Sequence, residues 1–138
     1  MIVKRADEDR VDVRLVFDPS ETALAEAVAQ RLADAGLAAG LSPAEVEPGE
    51  NFPATVRRAA ETTRAMAFLM SPAGIANQVL HVFAGAAWAN DLPMFVLRNR
   101  VRPSDYDPFF KRFPAYPLWT GFPRLVRDID RVADRAPA

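Results

Sequence analysis

The sequence contains no cysteine and a single histidine, His81. The first absence excludes disulfides, thiolate catalysis and cysteine-based metal sites, and the second excludes a centre built from several imidazoles. Neither sign of charge dominates, since 17 basic residues face 18 acidic ones for a formal net charge of -1. The chain as a whole therefore has no electrostatic reason to seek nucleic acid or an anionic membrane, and neither is expected as a partner. No segment reaches the roughly 20 apolar residues of a membrane span, and the opening MIVKRADEDRVDV lacks the apolar stretch of a signal peptide. A cytoplasmic domain without a metal is the expectation.

Glycine is also scarce, at six residues, and neither GxGxxG nor GxxxxGK[ST] occurs; Gly36 and Gly40 lack both the glycine pattern and the lysine. Dinucleotide-loop and P-loop readings fail on that ground. GxSxG is absent too, and a serine triad would have to recruit His81 from within an apolar helix. His81 reads instead as a packed or surface helix residue.

What is present is the composition of one globular domain. Half of the 138 residues are hydrophobic and 25% are charged, enough to build a core. The twelve prolines fall between candidate elements, as expected of a residue that lacks a backbone donor. Val11 to Phe17 is β-branched and apolar, with Asp12 and Arg14 alternating, so it reads as a first strand. Asp18, Pro19, Ser20 and Glu21 then have the form of a helix start, with a capping carboxylate, proline at the first position and glutamate three residues after the cap. Leu24, Val28, Leu32 and Ala35 continue at helical spacing, Gly36 ends that helix, and Leu37 to Leu41 is a short strand.

A turn at Glu47, Pro48, Gly49 and Glu50 leads to Asn51, the cap of a second helix with Phe52, Val56, Ala59 and Thr63 on one face. Ala65 to Met70 is continuously apolar, as a strand covered on both sides must be. Ile75 to Ala89 reads as a third helix, Met94 to Leu97 as a fourth strand, Tyr116 to Thr120 as a proline-flanked edge strand, and Leu125, Ile129 and Val132 as the inner face of a last helix. The alternation predicts an α/β fold: a five-stranded parallel sheet, flavodoxin-like, in the order 2-1-3-4-5 with helices on both faces.

In such a sheet the ligand crevice lies beyond the carboxyl ends of the strands, where the order reverses. That places Phe17, Asp18 and Ser71 at any ligand site, with Asp18 the sharpest candidate for chemistry. Capping a helix and leaving a strand are the plainer roles of Asp18 and Ser71. Further on, Arg98, Arg100, Arg102, Lys111 and Arg112 are interleaved with Tyr106, Phe109, Phe110 and Phe113. This stretch fits contact with phosphates or an acidic partner, and equally a solvated loop pinned by its aromatics and offset by Asp105 and Asp107.

The first strand, the Pro48 and Gly49 turn before Phe52, the strand ending in Ser71 and Pro72, Ala87 and Pro93 together resemble the Toll/interleukin-1 receptor (TIR) domain. The resemblance spans Val11 to about Val132, with residues 11–135 as the domain and 1–10 as an N-terminal extension. It implies that the Glu47 to Phe52 segment is the loop that mediates assembly and flanks the active site in enzymatic members, which cleave the glycosidic bond of NAD. Those members carry a glutamate on the third helix. Alignment on Ser71, Pro72, Ala87 and Pro93 places Phe83 at that position and Val79 at a preceding tryptophan position, and no acidic residue occurs from Thr62 to Asn90.

The resemblance thus implies a protein-assembly or signalling domain without turnover, in bacterial defence or effector signalling, with no cofactor. Its partner would be a second copy or another TIR-like chain, met through Pro48, Gly49, Phe52, Val79, Phe83 and Trp88. One alternative is an NAD glycohydrolase with a displaced acid, for which Asp18 is the candidate; another is a nucleotide sensor without turnover. The third helix is apolar nearly all round, so it needs a second cover beyond the sheet, either a partner or the proline-rich region from Pro103 to Pro123.

Overall fold

A computed structural model describes residues 10–135. The expected N-terminal extension, apart from Arg10, lies outside the described residues. In chain order the elements are β1 (Val13–Phe17), α1 (Thr22–Asp34), β2 (Ala39–Pro43), α2 (Phe52–Glu61), β3 (Met66–Met70), α3 (Pro72–Ala76), α4 (Gln78–Ala89), β4 (Met94–Arg98), β5 (Ala115–Pro117) and α5 (Phe122–Arg135). The strands form one sheet in the order β2-β1-β3-β4-β5, and every pairing is parallel.

Period-two alternation sorts the strand side chains into two cores. Leu15, Phe17, Ala67, Leu69 and Leu97 pack with Val28 and Leu32 of α1 and with Leu125 and Ile129 of α5. Val16, Met66, Phe68, Met70 and Val96 pack on the other face with Val56 of α2 and Leu80 and Phe83 of α4. Every residue of β3 is buried, which explains its unbroken apolar run. Each fully buried Leu, Phe or Met contributes about 1.5–3 kcal/mol relative to exposure.

Several elements differ from expectation, for identifiable reasons. Val11 forms an isolated bridge with Thr63 and stands outside β1, and Thr63 lies past the end of α2. Between them Asp12 accepts a hydrogen bond from the Ala38 N–H at 2.8 Å and meets Arg64 at 3.8 Å. That contact fixes the approach to β2, which starts at Ala39, two residues later than the sequence suggests. The fifth strand is Ala115–Pro117 because the chain then turns through Trp119, at φ +66°, and the Gly121 N–H bonds the Pro117 carbonyl. Finally, Ile75 to Ala89 is two helices, broken at Asn77, whose backbone is extended.

The second cover of α4 comes from the same chain. A turn of 3-10 helix at Pro108–Arg112 inserts the fully buried Phe110 against Phe68 and His81, with ring centroids 5.8 and 5.3 Å away. Trp88 receives the edges of Phe109 and Phe113 at 5.7 and 5.9 Å and the Arg112 guanidinium at 5.5 Å, yet stays half exposed, as does Val82.

Candidate functional site

β1 delivers Asp18 to the crevice at the carboxyl ends of the strands. The residue caps a 3-10 turn, Pro19–Glu21, that precedes α1. One carboxylate oxygen accepts from both the Ser20 N–H and the Ser20 hydroxyl, and the other accepts from the Asn77 side-chain amide at 2.8 Å. Burial opposes the charge, but the hydrogen bonds from Ser20 and Asn77 outweigh it and hold this carboxyl below its ordinary range. Asp18 is thus an ionised, occupied group, suited to holding structure and unsuited to donating a proton near neutral pH.

Glu21 does not reach back to the cap as the local pattern suggests. Its carboxylate accepts a hydrogen bond from the Ser71 hydroxyl across the crevice, joining the start of α1 to the end of β3. Sequence reasoning missed this second acid, because the two partners lie 50 positions apart and no local spacing marks them. Ser71 is fully buried and also caps α3 by accepting from the Gly74 N–H at 3.0 Å. The Ser71 hydroxyl is thus committed to Glu21 and Gly74 and presents no surface to a ligand. Phe17, expected at the crevice, packs its ring into the α1 and α5 core, because strand alternation turns it away from the cleft.

Asn77 joins three parts of the crevice. Its amide group donates to Asp18 and to the Ala44 carbonyl at 2.9 Å, its side-chain oxygen caps α4 at the Leu80 N–H, and its own carbonyl meets His81 Nδ1 at 2.8 Å. Ala44 opens the segment that carries Pro48 and Gly49. That segment holds a tight turn: Glu50 N–H to Glu47 carbonyl at 3.1 Å, and Glu47 N–H to a Glu50 carboxylate oxygen at 2.6 Å, with Gly49 at φ +81°. Proline then glycine at the two central positions is the pattern of a type II turn. Val46, Pro48 and Gly49 are exposed.

The expected interface residues divide. Pro48, Gly49 and Trp88 reach the surface, and Phe52 and Val79 are partly buried. Phe83 is 2% exposed and meets Phe52 edge-on at 6.3 Å, so it belongs to the core and has no surface to offer a partner. An open groove of about 720 Å³ lies at the opposite end of the sheet, where Trp88, Pro93, Phe113, Tyr116 and Asp128 converge. The Tyr116 hydroxyl donates to Asp128 there at 2.6 Å. Among the described residues no cluster of acidic or imidazole groups could hold a metal ion, and no helix is long and apolar enough to cross a membrane.

No family model matches the sequence, and no curated protein is detectably similar to it. Comparison of the fold does find similar structures. The TIR domain of the Toll-related receptor TRR-2 from Hydra magnipapillata superposes with a TM-score of 0.67 at 18% identity, over 87% of this chain and 98% of that one. The fold is TIR-like. The TIR-STING receptor of C. gigas matches at a TM-score of 0.65 and 13% identity, over 100% of this chain but 44% of the receptor. A flavodoxin-like domain from Synechococcus matches at 0.55 and 12% identity, over 89% and 96% of the two chains. At these identities the likeness is one of architecture. In the TIR-like frame the Glu47–Glu50 turn occupies the connection between β2 and α2, and Phe83 lies on the inner face of α4.

Proposed function

We propose that this TIR-like domain is an assembly module that relays a signal by self-association or by joining another TIR-like chain, in defence or effector signalling, and that it does not turn over NAD. The observation that carries this reading is Phe83. At the position where the resemblance calls for a glutamate stands a buried phenyl ring, packed edge-on to Phe52, in a stretch that carries no acidic residue from Thr62 to Asn90. An oxocarbenium-like transition state needs a nearby carboxylate, and this helix offers none. The exposed Pro48 and Gly49 turn, already ordered by its own hydrogen bonds, supplies a contact surface at little cost in ordering entropy.

The competing reading, cleavage of NAD by a displaced acid, draws support from Glu21, the carboxylate facing Ser71 in the crevice. Incubation of the purified domain with NAD, with and without a crowding agent, separates the two when nicotinamide release and particle size are followed together. Growth in particle size without nicotinamide is the expected outcome. Nicotinamide release abolished by Glu21→Gln or Asp18→Ala would establish the enzyme instead.

A further inference from the structure

The basic stretch after β4 is not used by the assembly reading, and its charges are not equivalent. Arg102 has a partner, since Asp105 meets its guanidinium at 3.8 Å and its backbone N–H at 2.8 Å. Asp107 is occupied in turn by the Phe109 N–H. Arg98, the last residue of β4, has no carboxylate partner among the described residues. Among the described residues its one hydrogen bond runs from a terminal nitrogen to the Val101 carbonyl at 3.3 Å, and its Nε is buried without an acceptor. A guanidinium held by one neutral acceptor and no carboxylate keeps donors and a full charge for an anionic partner.

The surroundings indicate what that partner is. Arg98 sits at the carboxyl end of the sheet, in register with Met70, one residue before Ser71; this is the end at which open α/β sheets bind ligands. Strand alternation puts it on the face of Met94 and Val96, in whose core Tyr106 of the covering segment also packs. Burial pushes the Tyr106 hydroxyl pKa up, and the Arg98 charge partly offsets that. Two residues on, Arg100 is exposed and held at φ +61°, a conformation that non-glycine residues seldom adopt.

We infer that the carboxyl end of β4 binds the phosphate group of a small molecule, with the Arg98 guanidinium as the anchor and Arg100 as the second cation. The planar fork of arginine matches two phosphate oxygens at once through its terminal nitrogens. Two cations, one of them half-buried, fit a single phosphate group. An extended polyanion draws on many more cations.

Amide chemical shifts of the labelled domain, titrated with inorganic phosphate against sodium chloride of equal ionic strength, test this. Saturable shifts centred on residues 98–102 and 70–72 are expected with phosphate alone. Arg98→Met and Arg100→Ala should each weaken them about tenfold, the loss of one charged hydrogen bond or more. If Arg98→Met fails to fold, Arg98→Lys keeps the charge without the fork and should still weaken binding. Ribose 5-phosphate should bind at least as well as phosphate. Shifts that do not saturate, that spread over the surface, or that survive unchanged in Arg98→Lys and Arg100→Ala overturn the site. Tighter binding of a phosphoserine peptide than of ribose 5-phosphate overturns the small-molecule assignment.

Discussion

Asn77 concentrates more long-range hydrogen bonding than any chemistry-bearing residue the sequence pointed to. Its amide bridges Asp18 and the Ala44 carbonyl, 59 and 33 positions away, while its side-chain oxygen caps α4. Asn77→Ala leaves the Asp18 carboxylate short of a donor and the Ala44 carbonyl unpaired, at a cost of about 1–3 kcal/mol. Asn77→Asp keeps the cap on Leu80 but sets a carboxylate against Asp18, so urea denaturation should find it the less stable of the two; an Asn77→Asp midpoint at the parent's value, well above that of Asn77→Ala, would mean that the cap alone matters. Asp18 supplies a pH signature. Its carboxyl pKa is depressed in the folded state, so the stabilisation is fully present above the unfolded value of about 4 and is lost as pH falls through the folded one. A melting temperature that falls below about pH 4, with a shallower fall in Asp18→Asn, is the expected result. Asp18 is the local cap that its spacing suggests, through Ser20, but the bonds from Asn77 to Asp18 and from Ser71 to Glu21 are not local in sequence, and for that reason the spacing did not show the clasp between segments.

At the scale of elements, burial was readable and interruptions were not. Met66–Met70 announces a covered central strand by composition alone, and Val13–Phe17 by its alternation. By contrast the run from Ile75 to Ala89 carries no proline to mark the break at Asn77, since tertiary hydrogen bonds cause it. β5 was misplaced because Trp119 takes a positive φ that residue type does not foretell. The position of Phe83 on α4 leads to a direct test. Phe83→Glu installs the acid that the resemblance calls for, but into the core beside Phe52, where an unpaired carboxylate costs more than the roughly 3–5 kcal/mol of losing the ring. The variant should unfold or melt far below the parent and gain no NAD cleavage; a stable, active variant would show that the helix can present an acid to the crevice. The β2–α2 connection makes a gentler prediction. At Gly49 an added Cβ would meet nothing within 4 Å, yet φ is +81°, so Gly49→Ala should cost about 1–2 kcal/mol through the backbone alone. That cost should leave hydrogen-exchange protection in β3 ordered as before, since the strain is confined to the turn.

Over the whole molecule, the parallel order β2-β1-β3-β4-β5 separates the two surfaces proposed for assembly. The Pro48 and Gly49 turn follows β2, at the carboxyl end of the sheet, whereas Trp88 closes α4 and lines the groove at the amino end beside Pro93 and Phe113. If the two surfaces meet each other in neighbouring copies, the contact is head-to-tail, and a head-to-tail contact either closes a ring or grows an open chain. A two-fold contact behaves differently, because it pairs one surface with itself and stops at the dimer. Light scattering on two variants distinguishes these cases. Pro48→Asp charges the turn and Trp88→Glu charges the groove, where Phe109, Phe113 and Arg112 already pack on the indole within the same chain. Each variant alone should stay monomeric at concentrations where the parent grows. Mixed in equal amounts, they should form dimers and nothing larger, because the pair retains one intact turn and one intact groove, enough for a single junction. Growth of either variant alone to the size of the parent would remove its surface from the assembly, and a mixture that stays monomeric would leave the head-to-tail arrangement without support.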